Sequence, residues 1–238
     1  LVIQCVPVHA DDAGLELEEV VVTAQRRSES VLEVPISMAV ETGETLVKKG
    51  ITTLEGLSLQ TPSLITQDGG RVSSVAMRGL GSPGLDTVES SVGIYIDEVY
   101  FGRSRLSRNP MFDMERIEVL RGPQGTLFGR NTEGGAINFI TRKPSGELSG
   151  SVGLEYGRFN NTVARGNVDL PQMGMLSTSF SYRKVDRDEI IENDTPGVED
   201  LGELDEEAYR FAAKLDITDK LQANYAYDHS EADNTSPA

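Results

Sequence analysis

Between Met111 and Pro144 the chain reads MFDMERIEVLRGPQGTLFGRNTEGGAINFITRKP, and no other stretch constrains the fold as strongly. Ile117, Val119 and Leu120 form an apolar run that predicts a short strand. Gly122, Gly125, Gly129, Gly134 and Gly135 then follow in close succession. Glycine at this density marks tight turns and close backbone approach, which excludes one long helix here. Ile137, Phe139 and Ile140 restart an extended pattern, and Pro144 stops it.

From Leu148 onward the apolar period is two. Val152, Leu154 and Tyr156 alternate with Gly153 and Glu155; Ala164, Val168 and Leu170 with Arg165, Asn167 and Asp169. Leu176, Thr178, Phe180 and Tyr182 alternate with Ser177, Ser179, Ser181 and Arg183. Two further runs, Tyr209 to Ile217 and Leu221 to Tyr227, behave alike. Five such runs predict antiparallel strands with one apolar and one polar face. A soluble sheet would alternate in the same way. Run length, aromatics toward one strand end and connections of unequal length favour a tilted membrane barrel. Pro171–Met175 and Thr218–Lys220 are the short turns. Asp188 to Glu207 is the long connection and holds ten acids and no base. Gly157 to Asn161 departs from the rule, being short on the long-loop side. Val152, Leu154, Phe180, Phe211 and Leu215 are expected to face lipid, and Arg165, Arg183, Lys214 and Asp216 the interior.

No run of apolar residues is long enough for a transmembrane helix, which leaves a barrel open. The formal charge of −16 argues against nucleic acid as a partner. Residues 28–143 hold 14 acids and 12 bases, and residues 144–238 hold 19 acids and 8 bases, so the acidity belongs to the second half. At the other end, LVIQCVPVHA before Asp11 and Asp12 reads as the end of a secretory signal, with Val8-His9-Ala10 as the cleavage site. Cys5, the single cysteine, falls inside it.

Glu18, Glu19, Val20, Val21, Val22, Thr23 and Ala24 form a short β-branched run with no partner nearby in sequence. It suits addition to the edge of another protein's sheet, or it is simply the first strand of the domain. Residues 28–66 predict a strand at Val34–Val40, a helix at Glu44–Lys49 closed by Gly50, and a second helix. A Thr52-Thr53-Leu54-Glu55 capping box starts that helix and Thr61-Pro62 ends it. Strands and glycine-rich loops follow, the loops being Gln67–Ser74, Gly81–Ser91 and Phe101–Asn109.

Chemical signals are sparse. The two histidines, His9 and His229, offer no triad, so no catalytic residue is assigned and no enzyme is expected. Gly122-Pro123-Gln124-Gly125-Thr126 lacks the Lys-Ser/Thr pair and the following helix of a phosphate loop. The acidic connection lacks the spaced order of a calcium loop, so no metal site is assigned and no cofactor is expected. Arg103, Arg105 and Arg108 crowd one loop; they suit either an anionic ligand or carboxylates on a surrounding wall.

The segment Met111–Pro144 resembles the plug domain of TonB-dependent outer-membrane receptors. Met77-Arg78-Gly79-Leu80 and Val92–Tyr100 resemble two further plug signatures, with Met77 where the family more often has Ile and Glu98 where it more often has Gly. The resemblance implies an α+β plug, a short mixed sheet with small helices and Gly-rich loops, followed by antiparallel strands of an incomplete transmembrane β-barrel. The organisation expected is a signal remnant at 1–10, a periplasmic leader with the TonB box at 11–27, a plug at 28–143, and about five first barrel strands at 144–238. Glu18 to Ala24 would be the TonB box, held by TonB of the inner-membrane energy-coupling complex. Arg71, Ser82, Asp86, Phe101, Arg103 and Arg105 lie on or beside glycine-rich loops that family plugs present to ligand. Arg78, Arg116, Arg121 and Arg130 would serve plug structure.

The function implied is active uptake of a scarce nutrient across the bacterial cell outer membrane, with outer-membrane lipid around the barrel and an iron chelate, a ferric siderophore, as cargo. Cobalamin, oligosaccharide or aromatic cargo remains an alternative. So, in another class, does a truncated plug that binds without transporting.

Overall fold

The computed structural model describes residues 21–23, 27, 29–68, 73–81, 89–102, 111–194, 200–218 and 220–235. The chain divides into two compact units, residues 1–35 and 36–238. In the first, β1 (Val21–Val22) pairs antiparallel with β2 (Glu29–Ser30), Val21 opposite Ser30 and Val22 opposite Glu29. Val21 and Val22 of the β-branched run therefore pair within the chain, as a first strand would, although no partner is evident nearby in the sequence.

The second unit opens with β3 (Met38–Thr42), α1 (Gly43–Lys49) and α2 (Leu54–Gln60). Strand β3 starts later than the expected Val34, because only from Met38 does the chain pair with another strand. Thr42 caps α1, its hydroxyl accepting from Thr45 N, and Gly50 closes it at φ 64°, where glycine carries no Cβ penalty. Thr53, not Thr52, caps α2. Its hydroxyl accepts from Gly56 N at 3.2 Å, which puts Gly56 at the third helical position and leaves Glu55 out of a reciprocal capping box. Thr61 ends α2, as expected.

Strands β4 (Leu64–Asp68), β5 (Ser73–Met77) and β6 (Leu80–Gly81) form a small antiparallel sheet. Pairing consumes the ends of the expected Gln67–Ser74 loop. Then come β7 (Val92–Ile96), β8 (Val99–Phe101), β9 (Met114–Arg121), α3 (Gly125–Phe128) and β10 (Gly135–Thr141). The glycine-rich stretch thus does contain one helical turn. It is only four residues long, and it follows no phosphate-loop Lys-Ser/Thr pair.

The main sheet has the order β3-β9-β10-β7-β8 and is mixed, β10 running parallel to β7 and antiparallel to β9. Ile117, Val119, Ile137, Phe139 and Ile94 share one face and pack with Leu46, Leu54 and Leu57 of the helices into the core. Gly135 is fixed by close approach. A Cβ there would sit 2.3 Å from the Leu120 carbonyl oxygen and 2.4 Å from Met77 Sδ.

The remaining strands are β11 (Ser149–Tyr156), β12 (Thr162–Asp169), β13 (Leu176–Arg187), β14 (Leu204–Thr218) and β15 (Leu221–Asn234). They pair in sequence order, every neighbour antiparallel, as a five-stranded wall. The long connection is 188–203, shorter than expected at its far end. Leu204 to Glu207 continue β14 because they pair with Arg187, Asp186, Val185 and Lys184. Val152, Leu154, Phe180 and Phe211 are exposed on the outer face, while Ser179, Ser181, Arg183, Ala208, Arg210 and Ala212 are buried on the inner one. Leu215 is only partly buried, still on the outer face. The expected inside–outside pattern holds.

Candidate functional site

The inner face of the wall meets the mixed sheet through charge. Arg210 stands on β14 between Ala208 and Ala212, and those small neighbours leave its side chain free to reach across. Its Nη2 donates to Thr141 Oγ1 at 2.6 Å and reaches Asp97 Oδ2 at 3.4 Å; its Nη1 donates to Asp228 of β15 at 2.6 Å. Asp97 sits in the β7–β8 turn and also accepts from Thr141 N at 2.9 Å and Thr141 Oγ1 at 2.6 Å. One wall arginine therefore ties the end of β10 and the β7–β8 turn to two barrel strands.

A second bridge lies beside the first. Arg142 follows β10, and its Nε donates to Asp113 at 2.9 Å while its Nη1 donates to Asp169 of β12 at 2.6 Å. Asp113 holds φ at 54°, places its side chain almost wholly out of solvent, and lies 3.9 Å from Arg210 Nε. Burial pushes the Arg142 pKa down, Asp113 and Asp169 push it up, and the net direction is up. The guanidinium stays charged at any pH the protein meets. Asp169 also accepts from Ser145 N and Ser149 Oγ, both at 3.3 Å, which fastens the connection between sheet and wall.

Above this seam a cavity of about 940 Å³ opens between α1 and the inner faces of β11 to β14. Glu44 and Lys48 of α1 line one side, where the Lys48 hydrogen bond lowers the Glu44 pKa. On the wall side, Arg165 pairs with Glu155, and Arg183 with Glu206 at 2.7 Å. The lining mixes apolar side chains such as Val47, Phe112 and Val163 with charged ones, and the paired charges largely cancel.

The glycine-rich stretch makes a separate cluster. Tyr95 donates to the Phe128 carbonyl at 2.6 Å and meets its ring edge-on at 5.0 Å, and Asn131 donates to Tyr100 Oη at 2.8 Å. These bonds fix α3 against β7. Among the described residues there is no group of three or more His, Cys, Asp and Glu that could hold a metal ion.

Glu18, Glu19, Val20, Ala24, Arg71, Ser82, Asp86, Arg103 and Arg105 lie outside the described residues. Val21 and Val22 are in β1, and Thr23 follows it. Phe101 is the last residue of β8, opposite Ile94, and not part of a loop. Arg116 binds Glu118 at 2.8 Å within β9 and also pairs with Glu115. Arg130 is exposed, 3.9 Å from Glu89. Sequence reasoning missed Asp97, Asp113, Arg142, Asp169, Arg210 and Asp228 as one group. The one usable signal was a lone arginine between alanines on a polar strand face.

On the outer face, Tyr209 stacks on His229 at 4.9 Å and lies 6.3 Å from Tyr227. Tyr182 is the cross-strand partner of Tyr209, so the aromatics form a band near the long-connection end. Below it, Phe211, Ala213, Leu215 and Ile217 continue the apolar face. Tyr209 to Ile217 is about the 9–11 residues that a tilted membrane strand needs.

Comparison with known proteins agrees with this geometry. Residues 30–136 match the family described as TonB-dependent Receptor Plug Domain. The chain is 30% identical over 190 residues to the pesticin receptor of Yersinia pestis, covering 77% of this chain and 27% of the receptor. It is 31% identical over 157 residues to the iron-regulated outer membrane virulence protein of Vibrio cholerae, covering 61% of this chain and 23% of that protein. The solved structure of the ferric yersiniabactin uptake receptor FyuA from Yersinia pestis superposes with a TM-score of 0.73 at 25% identity, covering 83% of this chain and 32% of that one. The chain thus spans about a quarter to a third of the length of these relatives.

Proposed function

We infer, from the premise that this chain belongs to the TonB-dependent receptors of the bacterial outer membrane, that it supplies the plug and the first wall strands of a nutrient transporter whose cargo is a ferric siderophore. The observation that carries this reading is a mixed sheet bolted by Arg210 and Arg142 to the polar face of a wall whose other face is apolar and aromatic. A plug fixed in this way blocks free passage, so uptake requires work on the plug. Relatives named as an iron-regulated outer membrane protein and a ferric yersiniabactin uptake receptor support iron as the cargo.

The work enters at Glu18 to Ala24, which we assign to TonB binding. A strand added edge to edge transmits an axial pull through several main-chain hydrogen bonds at once. Arg71, Ser82, Asp86, Phe101, Arg103 and Arg105 are the plug positions assigned to ligand. The test is energy-dependent accumulation of iron from a panel of ferric siderophores, by cells with a single outer-membrane receptor containing this chain. Uptake should need both the receptor and TonB. Accumulation that is indifferent to TonB sinks the coupling, and failure with every ferric chelate while cobalamin is taken up moves the cargo to the alternative class.

A further inference from the structure

We propose that the transport route runs between α1 and strands β11 to β14, and that Arg142, bridging Asp113 and Asp169, is the gate at its lower end. The proposal deepens the transporter reading by naming where on this plug the path opens. The cavity of about 940 Å³ is bounded on one side by the plug and on the other by the wall. Asn161, Arg187 and Glu203 line it on the side of the wall where the long connection lies; Ser151 and Asn167 line it toward the short-turn side. Short turns mark the periplasmic side of an outer-membrane barrel. The cavity therefore extends along most of the wall, and its volume lies at the upper end of the range for small-molecule sites, roughly 300–1,000 Å³.

Toward the short-turn end Asp113 and Arg142 line the cavity, and Arg142 is also bonded to Asp169, two residues beyond Asn167. Arg142 is held by one carboxylate of the plug and one of the wall, so moving the plug relative to β12 must break one of those two bonds. Conduction needs sites that do not hold the cargo too firmly. Arg165 and Arg183 are each already matched by a glutamate, which suits a hydrated, hydrogen-bonding chelate of either sign. Strand β3 lies at the edge of the plug sheet with α1 directly attached, so displacing that edge widens the cavity without breaking the Arg210 anchor.

The test uses an intact receptor containing this chain in planar lipid bilayers with potassium chloride as the probe. It needs neither TonB nor a nutrient, so it judges the route even if the siderophore reading fails. A gate bond that favours the closed state by a factor of about ten predicts an increase in conductance of about tenfold for Arg142→Asp. The charge-swapped pair Arg142→Asp with Asp169→Arg should return it toward the closed value. Heat-modifiable gel migration establishes that each variant has assembled, and Arg142→Gln replaces Arg142→Asp if the latter does not. In the open variant, a bulky methanethiosulfonate adduct at Ser151→Cys or Asn167→Cys should block the current, while the same adduct at Asn224→Cys, on the inner face of β15 away from the cavity, should not. An assembled variant that stays closed overturns the gate. Current unaffected by adducts at both Ser151 and Asn167, or blocked equally from Asn224, overturns the route.

Discussion

At the scale of single residues, the turn between β7 and β8 has to satisfy backbone and seam together. Asp97 and Glu98 both hold positive φ, 46° and 70°, the conformation of a type I′ hairpin. Asp97 earns its place through its bonds to Thr141, but the Glu98 side chain is exposed and is not needed there. An L-residue in the left-handed region costs roughly 1–2 kcal/mol. Glu98→Gly should therefore raise the plug's thermal stability by roughly 1 kcal/mol, measured by calorimetry on the intact receptor. Asp97→Ala should lower it, since Thr141 and Arg210 lose an acceptor. A destabilising Glu98→Gly would show that the side chain has a partner in the whole barrel. Arg183 and Glu206 form a tighter case, both nearly buried. Arg183→Ala leaves Glu206 buried and unpaired, at a cost on the order of 3 kcal/mol. Truncating both should cost less than Arg183→Ala alone.

At the scale of elements, β1 and β14 carry the sharpest expectations. Val21 lies opposite Ser30 in the short hairpin with β2, and the same strand is the proposed handle for TonB. Val21→Pro removes a main-chain donor and restricts φ. Iron accumulation should fall while ligand binding at the cell surface persists; undiminished energy-dependent uptake would remove β1 from the coupling path. On β14, Phe211 faces outward and is 42% exposed, whereas Ala212 faces inward and is 3% exposed. An arginine in the apolar band costs roughly 2–4 kcal/mol near the bilayer centre. Ala212 is too tightly packed to serve as the tolerant comparison, so the inward and exposed Asn224 takes that role. Phe211→Arg should impair assembly into the outer membrane far more than Asn224→Arg. Equal assembly of the two variants would argue against lipid on the outer face.

At the scale of the whole molecule, the plug sheet is protected unevenly. Strands β9 and β10 are central, β10 buried throughout and β9 buried from Arg116 to Leu120, whereas β3 is an edge strand with half-buried residues. Amide hydrogen exchange should be slowest in β9 and β10 and faster in β3 and α1, because local opening follows burial and pairing. The Arg210 and Arg142 bridges reinforce the slow end, since both grip residues at or next to the end of β10. Faster exchange in β10 than in β3 would mean that the wall does not hold the plug where these bonds lie.

The parts of the fold that local physics controls were legible along the chain. Glycine density placed the turn region after β9, the caps at Gly50 and Thr61 bounded the two helices, and period-two alternation identified five wall strands and their apolar face. Alternation is legible because each residue's side is set by its own position along the strand. What crosses between segments came from the folded arrangement alone. That arrangement paired β1 with β2, extended β14 upward to Leu204, and moved Phe101 from a loop to a strand end. It also assembled Asp97, Asp113, Arg142, Asp169, Arg210 and Asp228, drawn from the β7–β8 turn, the approach to β9, the exit from β10 and three wall strands. No spacing rule links residues so far apart in sequence. Their meeting depends on register and on the docking of two sheets, so the charges could be seen along the chain, but their partners could not.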